Sequence, residues 1–327
     1  MIVGIFADPH ITKNMRSMQD VWEKSVTDSI INMYKTFDKE GVNFAVCLGD
    51  FFHAPILEAK SLHFVLPILN YINSRDYPTF FLLGNHEVDD SEHNILGYLS
   101  EYENIKPVVD PDIYMDNFAF IPYTVNPEEL DDYFMKDKYV FTHHDIYGSE
   151  LASGKTKAFF GFPPALFKDA KKVFNGHVHL KSQVSENIIN VGSLTVSQQG
   201  ELKLGEYPEY LILNSSTGEL STYKNEYSMI YLSIDESETK DIVSSGYEAS
   251  KLVLRVDYEG EIPENYIGTL HTSWRKKISS IEDSEVEVVK SSNFDMKNYI
   301  VEYLKNDDSI PAESKEDYTN TALELLN

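Results

Sequence analysis

IVGIFADPH, residues 2–10, begins as a short apolar run and ends on an aspartate and a histidine two positions apart. The run is a candidate strand, and Asp8 and His10 fall where it stops. The same arrangement recurs four more times. Residues 44–48 lead into GDFFH, with Asp50 and His53, and residues 79–83 lead into GNHE, with Asn85 and His86. Residues 139–142 lead into His143-His144, and residues 172–175 lead into GHVH, with His177 and His179. Further candidate strands are 118–121, 188–191 and 210–213.

Amphipathic stretches separate the first of these runs. Val21, Ser25, Ile30, Tyr34 and Phe37 recur at three- to five-residue steps, which predicts a helix ended by Gly41. Residues 62–72 predict a second helix. Strand–helix–strand order at this spacing implies right-handed crossovers and an α/β layered sandwich. In open α/β sheets ligands gather where the strands end at their carboxyl side. The outer residues of Asp8-Pro9-His10 and of His177-Val178-His179 project the same way, so each pair can grip one ion.

The chain holds 327 residues, 42% hydrophobic and 13% aromatic, as expected of a globular protein with a sizeable core. Its apolar runs fall short of the ~18 residues of a membrane span. The start lacks a basic segment, so no secretory signal is expected. The single cysteine, Cys47, excludes a disulfide framework or a multi-cysteine zinc site; it suits a core position and a reducing, cytoplasmic setting. Lys+Arg number 28 against 53 Asp+Glu, a net charge of −25. A protein that grips nucleic acid mainly by its own global charge is thereby excluded.

Composition also divides the chain. Residues 1–225 carry 18 basic and 31 acidic side chains, while 226–327 carry 10 and 22. Nine of the ten histidines lie in the first part. The expected organisation is a chemistry-bearing domain over 1–225 and an acidic α+β accessory domain over 226–327. In the latter, strands are expected at 229–234, 251–257 and 285–290, with helices at 266–277, 296–305 and 313–326.

The candidate ligands are hard oxygen and imidazole, with no thiolate. That set suits Mn²⁺, Fe²⁺ or Zn²⁺ in a two-ion site, and Mn²⁺ best where phosphate oxygens must also bind. Asp50 is the natural bridge, since one carboxylate gives an oxygen to each ion. His86, beside Asn85, is better read as an acid that protonates a leaving oxygen. His53 is placed to orient His86 by a hydrogen bond. Any one of these residues alone would be an ordinary loop residue; five such sites along one α/β pattern are not. His63, His93 and His271 lie outside it. SELASGKT, residues 149–156, ends like a phosphate-binding loop, but Gly148 is one residue too far from Gly154. Lys155 and Lys157 there, with Lys168, Lys171 and Lys172, form the main basic cluster, a solvated face or a contact for a nucleic-acid backbone.

Asp8-x-His10, Gly49-Asp50-x-x-His53, Gly84-Asn85-His86-Glu87, His143 and Gly176-His177-x-His179 resemble the five motifs of the calcineurin-like metallophosphatases. The spacing, the extra histidine of GDxxH and the run Asn190-Val191-Gly192-Ser193 are most similar to the SbcD-type double-strand-break repair nucleases and their phage-encoded relatives. The likeness spans about 215 residues; beyond it, only the architecture of a capping domain corresponds. It implies a four-layer αββα metallophosphatase sandwich with a smaller C-terminal α+β capping domain. Asp8, His10, Asp50 and His179 would hold one ion, and Asp50, Asn85, His143 and His177 the other. Members of the family place a glycine five residues after the ligand histidine, and Gly148 stands five after His143, so the resemblance implies His143 over His144 as the ligand. His144 then turns away or touches substrate, as Lys155 and Lys157 would. Glu87 stands where aspartate is more frequent.

The activity implied is metal-dependent 3′-to-5′ exonuclease action on duplex DNA ends and endonuclease action on single strands. The implied partners are DNA, an SMC-like ATPase of the SbcC type and a second copy of the chain, in the cytoplasm (the host's, if phage-encoded). A phosphatase or cyclic-nucleotide phosphodiesterase would use the same site but not the accessory domain. A decayed, metal-bearing scaffold subunit is disfavoured by the complete motif set.

Overall fold

The structure, a computed structural model, describes residues 1–89, 94–123, 132–151, 156–238, 241–242, 245–258 and 271–276. These residues belong to one compact unit spanning Met1–Lys277. In chain order the strands are β1 (Ile2–Phe6), β2 (Phe44–Cys47), β3 (Thr79–Leu82), β4 (Ile105–Val108), β5 (Asp112–Tyr114), β6 (Phe118–Ile121), β7 (Tyr139–Thr142), β8 (Glu150–Leu151) and β9 (Thr156–Lys157). They continue as β10 (Lys172–Asn175), β11 (Ser182–Ser185), β12 (Ile188–Asn190), β13 (Glu209–Asn214), β14 (Glu219–Lys224), β15 (Ile230–Asp235), β16 (Leu252–Tyr258) and β17 (His271–Lys276). The helices are α1 (Gln19–Glu40), α2 (Leu62–Asn73) and the single turn α3 (Asp132–Met135).

Two six-stranded sheets carry the architecture, in the orders β14-β13-β1-β2-β3-β4 and β11-β12-β10-β7-β6-β5. β1 to β4 run parallel, as do β6, β7, β10 and β12. The sheets meet face to face. Val3, Ile5, Phe44, Val46 and Leu82 from one pack on Phe118, Phe120, Phe141 and Phe174 from the other. Each large apolar side chain sealed there contributes roughly 1.5–3 kcal/mol. Alternation then sends Phe6, Ala45, Cys47 and Phe81 to the opposite face of the first sheet.

That outer face is covered by α1 and α2. Trp22, Val26, Ile30, Met33, Tyr34 and Phe37 of α1 recur at helical spacing and are all buried. Phe64, Val65, Ile68, Leu69 and Ile72 do the same for α2. The outer face of the second sheet has a thinner cover: Met135 of α3 and Phe167 of a short 3₁₀ turn close over Ala119, Val140 and Val173. The result is the layered α/β sandwich that the sequence predicts.

Beyond residue 225, β15, β16 and β17 form a small parallel sheet. Met229, Tyr231 and Val253 share the core built around α1, and Ser25 Oγ accepts the Met229 N–H at 2.7 Å. The helix expected at 266–277 is corrected in its described part, because residues 271–276 pair in register with Val253–Tyr258 as a strand. A backbone ladder with β16 outweighs the weak helical period of this polar stretch. The elements expected at 285–290, 296–305 and 313–326 lie outside the described residues. Among the described residues no helix is long and apolar enough to cross a membrane.

Candidate metal centre

The expected ligands converge on one rim, where β1, β2, β3, β7 and β10 end. Nε2 of His10 and Nε2 of His179 stand 3.0 Å apart, with Asp8 Oδ1 3.9 Å from His179 Nε2. Beside them, His143 Nε2 lies 3.0 Å and His177 Nδ1 2.8 Å from Asn85 Oδ1. Asp50 Oδ2 faces both groups, 3.8 Å from His10 Nε2 and 3.4 Å from His143 Nε2. Its other oxygen accepts the His86 N–H at 2.9 Å, which fixes the carboxylate's direction. The donors thus form two clusters, Asp8–His10–His179 and Asp50–His143–His177, with Asp50 between them.

The backbone is strained where it delivers these groups. Asp8, His10, Asp50 and His177 all have positive φ, between 44° and 65°. Such conformations cost on the order of 1–3 kcal/mol each and persist only where the surroundings enforce them. The glycines before the ligands answer a different need. A Cβ on Gly84 would lie 2.2 Å from Asp50 Oδ1, and one on Gly49 would lie 2.3 Å from His143 Nδ1. No larger residue allows the loops to close on each other.

Hydrogen bonds fix which ring nitrogen each histidine presents. His143 Nδ1 donates to the Leu48 carbonyl at 2.6 Å, so Nε2 is the nitrogen that faces the site. His179 Nδ1 donates to Glu201 Oε1 at 2.5 Å, which again leaves Nε2 as the donor to a metal. His177 is turned the other way: Nε2 lies 3.2 Å from Asp145 Oδ1, leaving Nδ1 to face Asn85. Two ring nitrogens facing each other at 3.0 Å beside buried carboxylates make a place for a cation, and the donor set fits two divalent ions.

The electrostatics agree. Burial opposes the charging of His143, yet Asp50 and Asp8 raise its pKa to about 9. Burial alone would raise the Asp50 carboxyl, but His143 and His10 hold it below the usual carboxylate range. Asp8, fully buried, is driven up by desolvation. Two carboxylates this close, both out of water, call for added positive charge.

His86 stands at the mouth, its side chain 39% exposed and Nε2 4.0 Å from Asp50 Oδ2. Its Nδ1 donates to the His53 carbonyl at 3.0 Å. The orienting bond therefore comes from the main chain of His53, where sequence reasoning expects its ring. That ring stacks on His86 at 4.8 Å, and its Nδ1 lies 3.3 Å from His10 Nδ1. Glu87 is buried and accepts the N–H groups of Asp50, Phe52 and Gly84, tying the second and third motif loops together. Burial and the charge of Asp50 push its carboxyl up to about 8.

His144 does not face the centre. Its ring is buried, stacks on Phe162 at 4.1 Å and donates from Nε2 to the Pro122 carbonyl at 3.0 Å. Of the two alternatives for His144, turned away or touching substrate, the structure shows the ring turned away and packed. Lys157 is exposed on β9, opposite Glu150; Lys155 and His93 lie outside the described residues.

Three contributors escape the motif reading: Glu201, Asp145 and Tyr123. Asp145 was within reach, because it directly follows the two histidines. Glu201 carried no signal, 22 residues past its partner. Burial would raise its carboxyl, but the His179 ring and the N–H groups of Ser197 and Gln198 hold it low. In Glu201→Gln the amide must turn its NH₂ toward one of these donors. Affinity for one ion should fall 10–100-fold while the second binds as before. Calorimetric titration with Mn²⁺ reads this directly, and an unchanged first binding step would show that Glu201 does not support the site.

The profile of the Calcineurin-like phosphoesterase family matches residues 1–187. No curated protein matches the chain. Among solved structures, an archaeal phosphodiesterase aligns at 15% identity, covering 68% of this chain and 99% of its own, with a TM-score of 0.37. The Pseudomonas putida nuclease MPE aligns at 14% identity over 68% of this chain and 87% of its own, TM-score 0.34. The E. coli phosphoesterase Yfce aligns at 12% identity over 69% and 100%, TM-score 0.34.

Proposed function

The chain belongs to the calcineurin-like phosphoesterase family, and from that premise we propose that it is a two-metal DNA nuclease of the SbcD type. The observation that carries this reading is the pair of ligand clusters with Asp50 facing both and His86 at their mouth. Asp8, His10, Asp50 and His179 would hold one ion, and Asp50, Asn85, His143 and His177 the other. When bound, such ions activate a water for in-line attack and neutralise the phosphate oxygens; Mn²⁺ is the ion we assign. His86, oriented by the His53 carbonyl, holds the proton that the leaving sugar oxygen takes.

The nuclease assignment also draws on the histidine of GDxxH, since His53 both stacks on and positions His86. Within this reading the protein acts in the cytoplasm on duplex ends and single strands, beside an SMC-like ATPase of the SbcC type. It pairs with a second copy, for which exposed Ile56, Leu66 and Tyr98 offer an apolar contact. With a net charge of −25, the subunit alone should hold DNA weakly.

The test is purified protein with Mn²⁺ on linear duplex DNA, circular single-stranded DNA and a phosphomonoester side by side. Cleavage of both DNAs, with the monoester turned over far more slowly, is the expected result. Turnover of the monoester alone would move the assignment to a phosphatase.

A further inference from the structure

Tyr123 stands inside the candidate centre although no motif contains it. Its ring is 39% exposed, lies nearly parallel to His177 with centroids 6.3 Å apart and meets His143 edge-on at the same distance. The Tyr123 N–H donates to the Leu83 carbonyl, which pins it to the rim two residues before Asn85. On its other side Tyr123 faces His144, which stacks on Phe162. Phe162 closes the root of the segment that starts at Asp145: its N–H donates to the Asp145 carbonyl, and its own carbonyl accepts the Tyr147 N–H. Asp145 in turn holds His177. The segment is therefore fastened to the ligands at its base.

Beyond that base it presents rings to water. Tyr147 is 56% exposed, Phe160 50% and Phe159 79%, with Phe159 and Phe160 in edge-to-face contact at 5.3 Å. Exposed aromatics grouped beside a site, rather than scattered singly, mark an interaction surface. Lys157 is exposed on the same segment.

We propose that Tyr123, Tyr147, Phe159 and Phe160 form a stacking surface for the unpaired bases of a nucleic-acid strand whose phosphate lies at the metal centre. The inference rests on the nuclease reading and adds how the substrate is held. The occupant follows from where the segment is fastened, with Asp145 on His177 and Tyr123 against His143 and His177. At −25 the chain repels phosphates overall, so affinity must come from terms that do not depend on its own field. Base–aromatic stacking is such a term, and it tolerates any sequence because every base has a π face. In a duplex those faces are covered, so the surface selects single strands or frayed ends.

Phe159→Ala/Phe160→Ala, with Phe159→Leu/Phe160→Leu beside it, tests the proposal. Both residues are exposed, and a thermal melt checks that the variants keep the fold. Binding is read by quenching of a 2-aminopurine single-stranded oligonucleotide, and cleavage by KM and kcat on the same strand. Both variants should bind about tenfold or more weakly, with KM raised and kcat little moved. Leucine should fail as alanine does, because it keeps apolarity but loses the π face. Wild-type binding in the leucine variant would overturn stacking and mark the surface as a protein contact; unchanged binding in both would overturn it outright. Absence of DNA cleavage by the wild type, with quenching still lost in the variants, would sink the nuclease reading and leave the stacking surface standing. Absence of both sinks both.

Discussion

Asp50→Ala should release both ions and lower phosphodiester hydrolysis beyond the ~10⁴-fold that one proton-transfer group contributes at most. The reason is positional. Asp50 Oδ2 faces the site nitrogens of both clusters, at 3.8 Å from His10 Nε2 and 3.4 Å from His143 Nε2. Without it, Asp8 remains as the carboxylate of the first cluster, and the second keeps only neutral Asn85 and two imidazoles. The loss extends to geometry, because Asp50 Oδ1 also accepts the His86 N–H. Asp50→Asn separates the two contributions. Its amide oxygen can still take the His86 N–H, so the loop should keep its shape while the charge is gone. We expect the asparagine variant to melt like the wild type without metal and to lose the gain in Tm that Mn²⁺ gives. Elemental analysis after dialysis reads the stoichiometry. Two tightly held ions in either variant would show that the bridge lies elsewhere.

What the sequence disclosed follows from where apolar residues had to be. Within the two large sheets, the eight strands legible as apolar runs are the interior ones, buried on both faces. The four of these sheets that escaped, Ile105–Val108, Asp112–Tyr114, Ser182–Ser185 and Glu219–Lys224, are their four edges. These edge strands are half-solvated, and the first tolerates Pro107 because a backbone donor is dispensable there. Their pairing is set by the neighbouring strand more than by their own composition.

The site divides along similar lines. The residues expected to bind metal were legible because short loops after parallel strands leave them one destination. The groups that hold those ligands were not. Glu201 reaches His179 from 22 residues away, and Glu87 acts through three backbone N–H groups of two loops, contacts that leave no spacing rule. His144 was legible only as two alternatives, turned away or touching substrate; strand alternation turns it outward onto Phe162. Tyr123 was invisible for a further reason: an aromatic at a strand end reads as core, and only its exposure shows otherwise.

His86→Ser should separate chemistry from metal binding. His10, His53 and His86 also bring ring nitrogens within 4.8 Å of one another, so a ligand role is the competitor to an acid role. The contacts favour the acid. This trio contains no carboxylate, and His86 Nδ1 is engaged by the His53 carbonyl. His10 Nε2 is directed at His179 and Asp50 rather than at His86. An acid at the mouth matters in proportion to how much the departing oxygen needs a proton. A sugar alkoxide needs it badly, so on the proposed nuclease reading DNA cleavage should fall by roughly 10²–10⁴ in the variant. A p-nitrophenolate leaves unaided, so hydrolysis of bis-p-nitrophenyl phosphate should fall far less. Both ions should stay bound by elemental analysis, and KM for the small diester should hardly move. A ligand would behave differently: its removal would empty one position and depress both substrates together, whatever the leaving group. Parallel losses on DNA and on the nitrophenyl diester, with one ion missing, would therefore place His86 on the metal and require another group to protonate the leaving oxygen.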